Sequence, residues 1–122
     1  MRSLHILFVA LALLPLSDAL KCKKKAAFTG LDPADQAVVN AGTLPAEETC
    51  GAGIEYCSSF AGVDTNGPKF DAVGCEEATA KCTMVGCAAI AIQVQMQAKK
   101  YTFAGQKCCC KGDMCTPASP GP

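Results

Sequence analysis

The amino-acid sequence predicts a small, disulfide-rich, mainly β domain, and three observations predict it. Ten of the 122 residues are cysteine, close to the density at which a short chain reads as a disulfide scaffold. Large apolar side chains are scarce. Residues 20–122 hold only 15 Ile, Leu, Val and Met and 6 aromatics, against 17 alanines whose single methyls bury little area. So small a core is marginal without cross-links, and disulfides typically add about 2–4 kcal/mol each. The third observation is a pattern: Ile90, Ile92, Val94 and Met96 alternate with alanine and glutamine, the period-two signature of a half-buried and most naturally antiparallel strand.

Residues 1–19 read as a secretory signal peptide. Met1-Arg2-Ser3 gives a positive start, residues 6–16 form an apolar run of 11, and Ser17 and Ala19 place small residues before a cut that leaves Leu20 first. The run is too short to span a bilayer, which takes about 20 residues. No later segment resembles a membrane span, and the final residues lack the hydrophobic tail of a lipid-anchor signal. The expectation is a secreted, extracellular protein with neither span nor anchor. Disulfides persist there, and an even number of cysteines leaves no thiol over. A zinc or redox site is disfavoured, because no C-x-x-C pair occurs and the single histidine, His5, lies in the segment expected to be removed. No metal or other cofactor is expected.

Residues 20–116 read as one cysteine-rich domain. Four lysines surround Cys22 in residues 21–25, a solvated face by default and otherwise a patch for an anionic partner. Residues 31–42 carry helix punctuation: Asp32 to cap, Pro33 for the first turn, Gly42 for the exit. Residues 54–60, the turn Asp64-Thr65-Asn66-Gly67-Pro68 and residues 69–73 read as a β-hairpin. Cys50 to Cys57 and Cys75 to Cys82 share a spacing of seven, but nothing else repeats, so the match is read as coincidence. Residues 90–97 form the alternating strand, Ala98-Lys99-Lys100 turns the chain, and Tyr101-Thr102-Phe103 opens a partner strand that runs into the cysteine cluster. Residues 117–122 are a proline-rich, flexible tail.

The most specific feature is Cys108-Cys109-Cys110-Lys111-Gly112-Asp113-Met114-Cys115-Thr116. Adjacent α-carbons lie about 3.8 Å apart, whereas a relaxed disulfide wants about 4.4–6.8 Å, so the three neighbouring cysteines need three separate partners. In an extended chain Cys108 and Cys110 point to one face and Cys109 to the other. Cys110 to Cys115 is a feasible local closure with Gly112 easing the turn, and the remaining pairings stay open.

This box resembles the C-C-x-x-D-x-C-N ending of three-finger proteins, the snake-toxin and urokinase-receptor-like superfamily, through Cys109, Cys110, Asp113 and Cys115. The opening Leu20-Lys21-Cys22 is similar to that family's start, and Cys50, Cys57, Cys75, Cys82 and Cys87 would supply the remaining bridges. More narrowly, ten cysteines with a triple-cysteine ending resemble the nematode ET module, over most of residues 20–116. The resemblance implies three-finger-like antiparallel hairpins projecting from a cysteine hub. It also implies a Cys110–Cys115 bridge, Cys109 reaching back to an upstream cysteine, and non-catalytic binding through loop surfaces. Three departures stand out. Thr116 replaces the usual final asparagine and should weaken that residue's bonds to the hub; Cys108 is extra; and residues 29–49 are long and partly helical for a first finger.

Composition narrows the function. Formal charges cancel at 11 against 11, which leaves no electrostatic footprint for nucleic acid. A mature chain without histidine cannot run the histidine-based nucleophilic or acid–base chemistry of most hydrolases. The adjacent pairs Glu47-Glu48 and Glu76-Glu77 point apart, so neither makes an acid–base pair, and no enzyme is expected. The expected function is a secreted binding module acting by protein–protein contact with an extracellular or membrane-receptor protein. The alternative is a secreted protease inhibitor or host-defence protein, although a neutral mature chain argues against direct membrane lysis. Candidate contact residues are Lys23, Lys24, Lys25, Asn66, Lys99 and Lys100, all in segments expected to be exposed and polar.

Overall fold

Strands dominate the described residues, and the alternating apolar side chains of the longest hairpin give its sheet one buried face. The computed structural model describes residues 19–78 and 80–117, so the signal peptide expected at 1–19 and the tail expected at 117–122 lie, but for Ala19 and Pro117, outside the described residues. Strand β1 (Lys21–Lys23) pairs antiparallel with β3 (Glu47–Thr49), which sets Lys23 opposite Glu47. The other strands are β2 (Lys25–Thr29), β4 (Tyr56–Val63), β5 (Lys69–Cys75), β6 (Gly86–Gln95) and β7 (Lys100–Lys111). They form one antiparallel sheet in the order β2-β5-β4-β7-β6.

Helix α1 (Pro33–Ala41) interrupts the first loop. The Asp32 side chain caps it by accepting from the Ala34 N–H at 3.1 Å, and Pro33 supplies the preset φ of a first turn. Gly42 ends the helix in an extended conformation, φ −81°, and not in a left-handed one; its N–H donates to the Val39 carbonyl at 3.1 Å. Both predicted hairpins are present, the first reaching Val63 and Cys75 and the second starting at Gly86. Strands β1, β2 and β3 carry no alternating apolar pattern, and their pairing was not visible in the sequence.

Cross-strand register sorts the side chains onto two faces. Phe28, Phe70, Gly62, Gly105 and Ile90 lie in one row across the sheet, and Ala27, Asp71, Ala61, Gln106 and Ala89 in the next, on the opposite face. The first face is the core. Leu31, Phe60, Tyr101 and Phe103 are buried there, with Phe28, Val39, Phe70, Ile90, Ile92, Val94 and Met96 packed around them. Phe28 stacks on Phe70 with centroids 4.2 Å apart, and Phe103, 0% exposed, sits 5.5 Å from the Phe70 ring. The facing glycines Gly62 and Gly105 make this possible. A Cβ on Gly62 would lie 2.5 Å from the Phe60 ring, and one on Gly105 would collide with the Ala61 carbonyl.

A second core, made of sulfur, holds the other end. The bridges are Cys22–Cys57, Cys50–Cys75, Cys82–Cys109, Cys87–Cys108 and Cys110–Cys115, and no cysteine is free. The two spacings of seven join nothing. Extended β7 sends Cys108 and Cys109 to different faces and different partners, while Gly112 (φ +106°) and Met114 (φ +55°) bend the chain so that Cys115 meets Cys110. The Asp113 carboxylate accepts from the Lys21 N–H at 3.1 Å, and the Met114 N–H donates to the Lys21 carbonyl at 2.7 Å, pinning the box to β1. Among the described residues no helix is long and apolar enough to cross a membrane.

Candidate functional site

Three loops leave the sulfur core: β1 and β2 through α1 to β3, the β4–β5 hairpin and the β6–β7 hairpin. Strand β7 carries the chain roughly 30 Å from tip to sulfur core at about 3.4 Å per residue. At that far end the three tips do not splay; they are tied together by two buried carboxylates.

The first is Asp35 on α1, 1% exposed. Its Oδ1 accepts from the Ala98 N–H at 2.9 Å and its Oδ2 from the Tyr101 hydroxyl at 2.8 Å, joining the first loop to the third. The same Tyr101 oxygen accepts from the Asp32 N–H at 2.9 Å. The second is Asp64, at the tip of the β4–β5 hairpin. It accepts from the Asn66 N–H at 2.9 Å, fixing its own turn, and from the Thr102 N–H at 2.8 Å, fixing that turn to the third loop. The Gly67 N–H closes on the Asp64 carbonyl at 2.9 Å, and the Asp64 N–H donates to the Pro68 carbonyl at 2.8 Å.

These bonds shift the ionisation of the groups they join. The Ala98 N–H, opposed by desolvation and helped by the Tyr101 hydroxyl, holds the Asp35 carboxyl below the usual carboxylate range. The Asn66 and Thr102 N–H groups do the same for Asp64. Burial, reinforced by the facing Asp35 carboxylate, pushes the Tyr101 phenol up. Both carboxylates thus spend their hydrogen bonds on joining neighbouring loops.

Between the tips lies a cleft of about 110 Å³ lined by Gly30, Asp32, Asp64, Asn66, Pro68, Lys99, Lys100 and Tyr101. The structure therefore brings together Asn66, Lys99 and Lys100, three of the six contact candidates. It leaves the other three at the sulfur end. Lys23 donates to the Thr116 hydroxyl at 3.2 Å, Lys24 pairs with Glu48 at 3.4 Å, and Lys25 begins β2 opposite Val73. The acids Asp35 and Asp64 and the ring Tyr101 escaped sequence reasoning. Asp64 belonged to a recognised turn, but a helix-start acid such as Asp35 ordinarily faces solvent and the helix dipole, and nothing in the spacing announces that it turns inward.

One member of each acidic pair is engaged by backbone donors. One Glu48 oxygen accepts from the Cys75 N–H at 2.8 Å, and Glu76 accepts from the Glu55, Tyr56 and Cys82 N–H groups at 3.1, 3.0 and 2.6 Å. A larger, mostly apolar groove of about 420 Å³ runs beside β6, between residues 80–84 and Ala88, Ile90 and Lys107. No family model matches the chain, and neither a curated protein nor a solved structure matches it.

Proposed function

We propose that this chain is a secreted, non-catalytic binding module of the three-finger-like kind, related to the ET module, whose fused loop tips contact an extracellular or cell-surface protein. One observation carries the reading. Three loops from distant parts of the sequence are locked by Asp35 and Asp64 into a single platform that presents Asn66, Lys99 and Lys100. A surface fixed before contact loses little conformational freedom on binding, the property that converts a modest contact area into affinity. Paired exposed lysines favour an acidic patch on the partner. The Cys110–Cys115 closure and the Cys109 bridge to upstream Cys82 fit the kinship, as do three antiparallel loops rising from one sulfur core. Five disulfides fit an oxidising compartment. Carboxylates consumed by backbone donors fit a role without catalysis.

The test is binding of the fluorescently labelled mature protein to intact cells of its source tissue. Asn66→Ala with Lys99→Glu and Lys100→Glu is expected to reduce binding at least tenfold, while Lys23→Glu with Lys25→Glu leaves it within about twofold. Equal loss from both sets removes the platform from the reading. Saturable inhibition of a protease by the wild type, insensitive to the tip variants, replaces it with the inhibitor reading.

A further inference from the structure

The sheet ends on β6, and β6 is built unlike an edge that stays single. Its only paired strand among the described residues is β7, so alternate backbone N–H and C=O groups face outward along about 34 Å. Edges are ordinarily protected by charge, proline, a bulge or brevity. Strand Gly86–Gln95 has 10 residues with no Asp, Glu, Lys, Arg or Pro among them, and its register with β7 is unbroken. Its residues are exposed or half-exposed throughout. The opposite edge, β2, is 5 residues long and opens on Lys25. At the start of β6 stand Met84, 69% exposed, and Val85, 61% exposed, the two most exposed large hydrophobics described; at its end stands half-buried Met96.

We propose that β6 pairs with β6 of a second copy of this chain, antiparallel across a two-fold axis, to make a continuous ten-stranded sheet. Antiparallel pairing about a dyad is self-complementary only when no side chain is repelled by its counterpart, and β6 meets that condition. With the axis at Ala91, Ile90 faces the second copy's Ile92, Ala88 faces its Val94, and Ala89 faces its Gln93, so bulk meets small side chains or continues the apolar strip. Gly86 then lies opposite Met96, which brings Met84 and Val85 of each copy to the last turn of the other. Zero net charge leaves no long-range repulsion between copies. An edge pairing of this length, with the terminal apolar groups added, covers on the order of 1,000 Å² in total, the lower bound for a specific interface. An interface at that lower bound belongs to the weak, transient class.

Sedimentation velocity on the oxidised mature protein, from about 1 to ~500 µM, tests this directly. The wild type is expected to pass from monomer to dimer across that range. Ala91→Lys and Ala91→Glu, at an exposed site on the alanine–glutamine face, are each expected to weaken the dimer at least tenfold, because like charges meet across the axis. An equimolar mixture of the two variants is expected to recover a dimer, which no misfolded pair would do. Hydrogen exchange should show β6 amides gaining protection with wild-type concentration alone. A wild type that stays monomeric at ~500 µM overturns the proposal, whichever other strand the edge then takes up. So does an Ala91→Lys chain that dimerises like the wild type, or a mixture that remains monomeric.

Discussion

Adding one methyl group at Gly105 tests how closely β4 and β7 are held, and with them the spacing of the second and third tips. The new Cβ would collide with the Ala61 carbonyl and lie 2.5 Å from the Gly62 Cα and 2.7 Å from the Ala61 carbonyl carbon. All three obstacles are backbone, so no side-chain rotation relieves them; the two central strands must part. Forced overpacking costs about 1–3 kcal/mol, and each ladder hydrogen bond stretched in the process adds about 1 kcal/mol. A total near 3 kcal/mol follows. For a domain of about 100 residues each kcal/mol lowers Tm by about 4–8 °C, so Gly105→Ala should melt roughly 12–24 °C below the wild type. Gly51→Ala is the comparison: nothing lies within 4 Å of its Cβ position, and loss of freedom in the unfolded chain should stabilise it by about 0.4–1 kcal/mol. Thermal unfolding followed by far-UV circular dichroism, on oxidised protein, reads both. Equal melting points for Gly105→Ala and the wild type would refute the close seam, and a matching drop in Gly51→Ala would assign the effect to glycine loss in general.

Phe103→Ala removes the one aromatic side chain that is fully buried among the described residues and should destabilise by about 3–5 kcal/mol, measured by denaturant titration. Acid should weaken the fold at its tips. Asp35 and Asp64 ionise in the folded chain below their ordinary value of 3.8, so their contribution is intact above that pH and is lost as pH falls through the depressed folded values. Tm should be flat from neutrality to about pH 5 and fall below pH 4, and Asp35→Asn with Asp64→Asn should flatten that fall. Tyr101 acts in the opposite direction. Its folded value lies above 10.0, so its contribution is intact below pH 10 and is lost as pH rises through the raised value; Tyr101→Phe should reduce the alkaline loss.

What the sequence made legible was local. The β6 alternation, the Asp32-Pro33 helix start and the Asp64–Pro68 turn each depend on neighbours within a few residues, and each is in place. The separation of Cys108, Cys109 and Cys110 onto different partners followed from bond geometry alone. The tip platform was not legible, because its bonds span 38 to 69 residues. A carboxylate that will be buried by such distant donors carries the same letter as a solvated one. Strands β1 and β3 were hidden for a related reason: three residues each, they are held by Cys22, Cys50 and the Asp113 contact more than by any pattern of their own.

The two ends of the molecule are thus held by different chemistry. Covalent bridges fix one end regardless of pH, while the other depends on two ionised carboxylates and one phenol. A disulfide constrains mainly the unfolded chain and does little to position a loop tip some 30 Å away along β7. Donors converging on Asp35 and Asp64 act locally, at the tips themselves, and set how the three loops meet there. Global stability and tip geometry are therefore held by separable interactions in this fold. Loss of a bridge lowers the melting temperature through the whole fold, whereas loss of Asp35 or Asp64 first frees the tips from one another. The same division explains how a chain with so little aliphatic bulk is held at both ends: five aromatics cluster beside the tips, Phe28, Phe60, Phe70, Tyr101 and Phe103, and disulfides with Tyr56, Leu20 and Ile54 fill the other end.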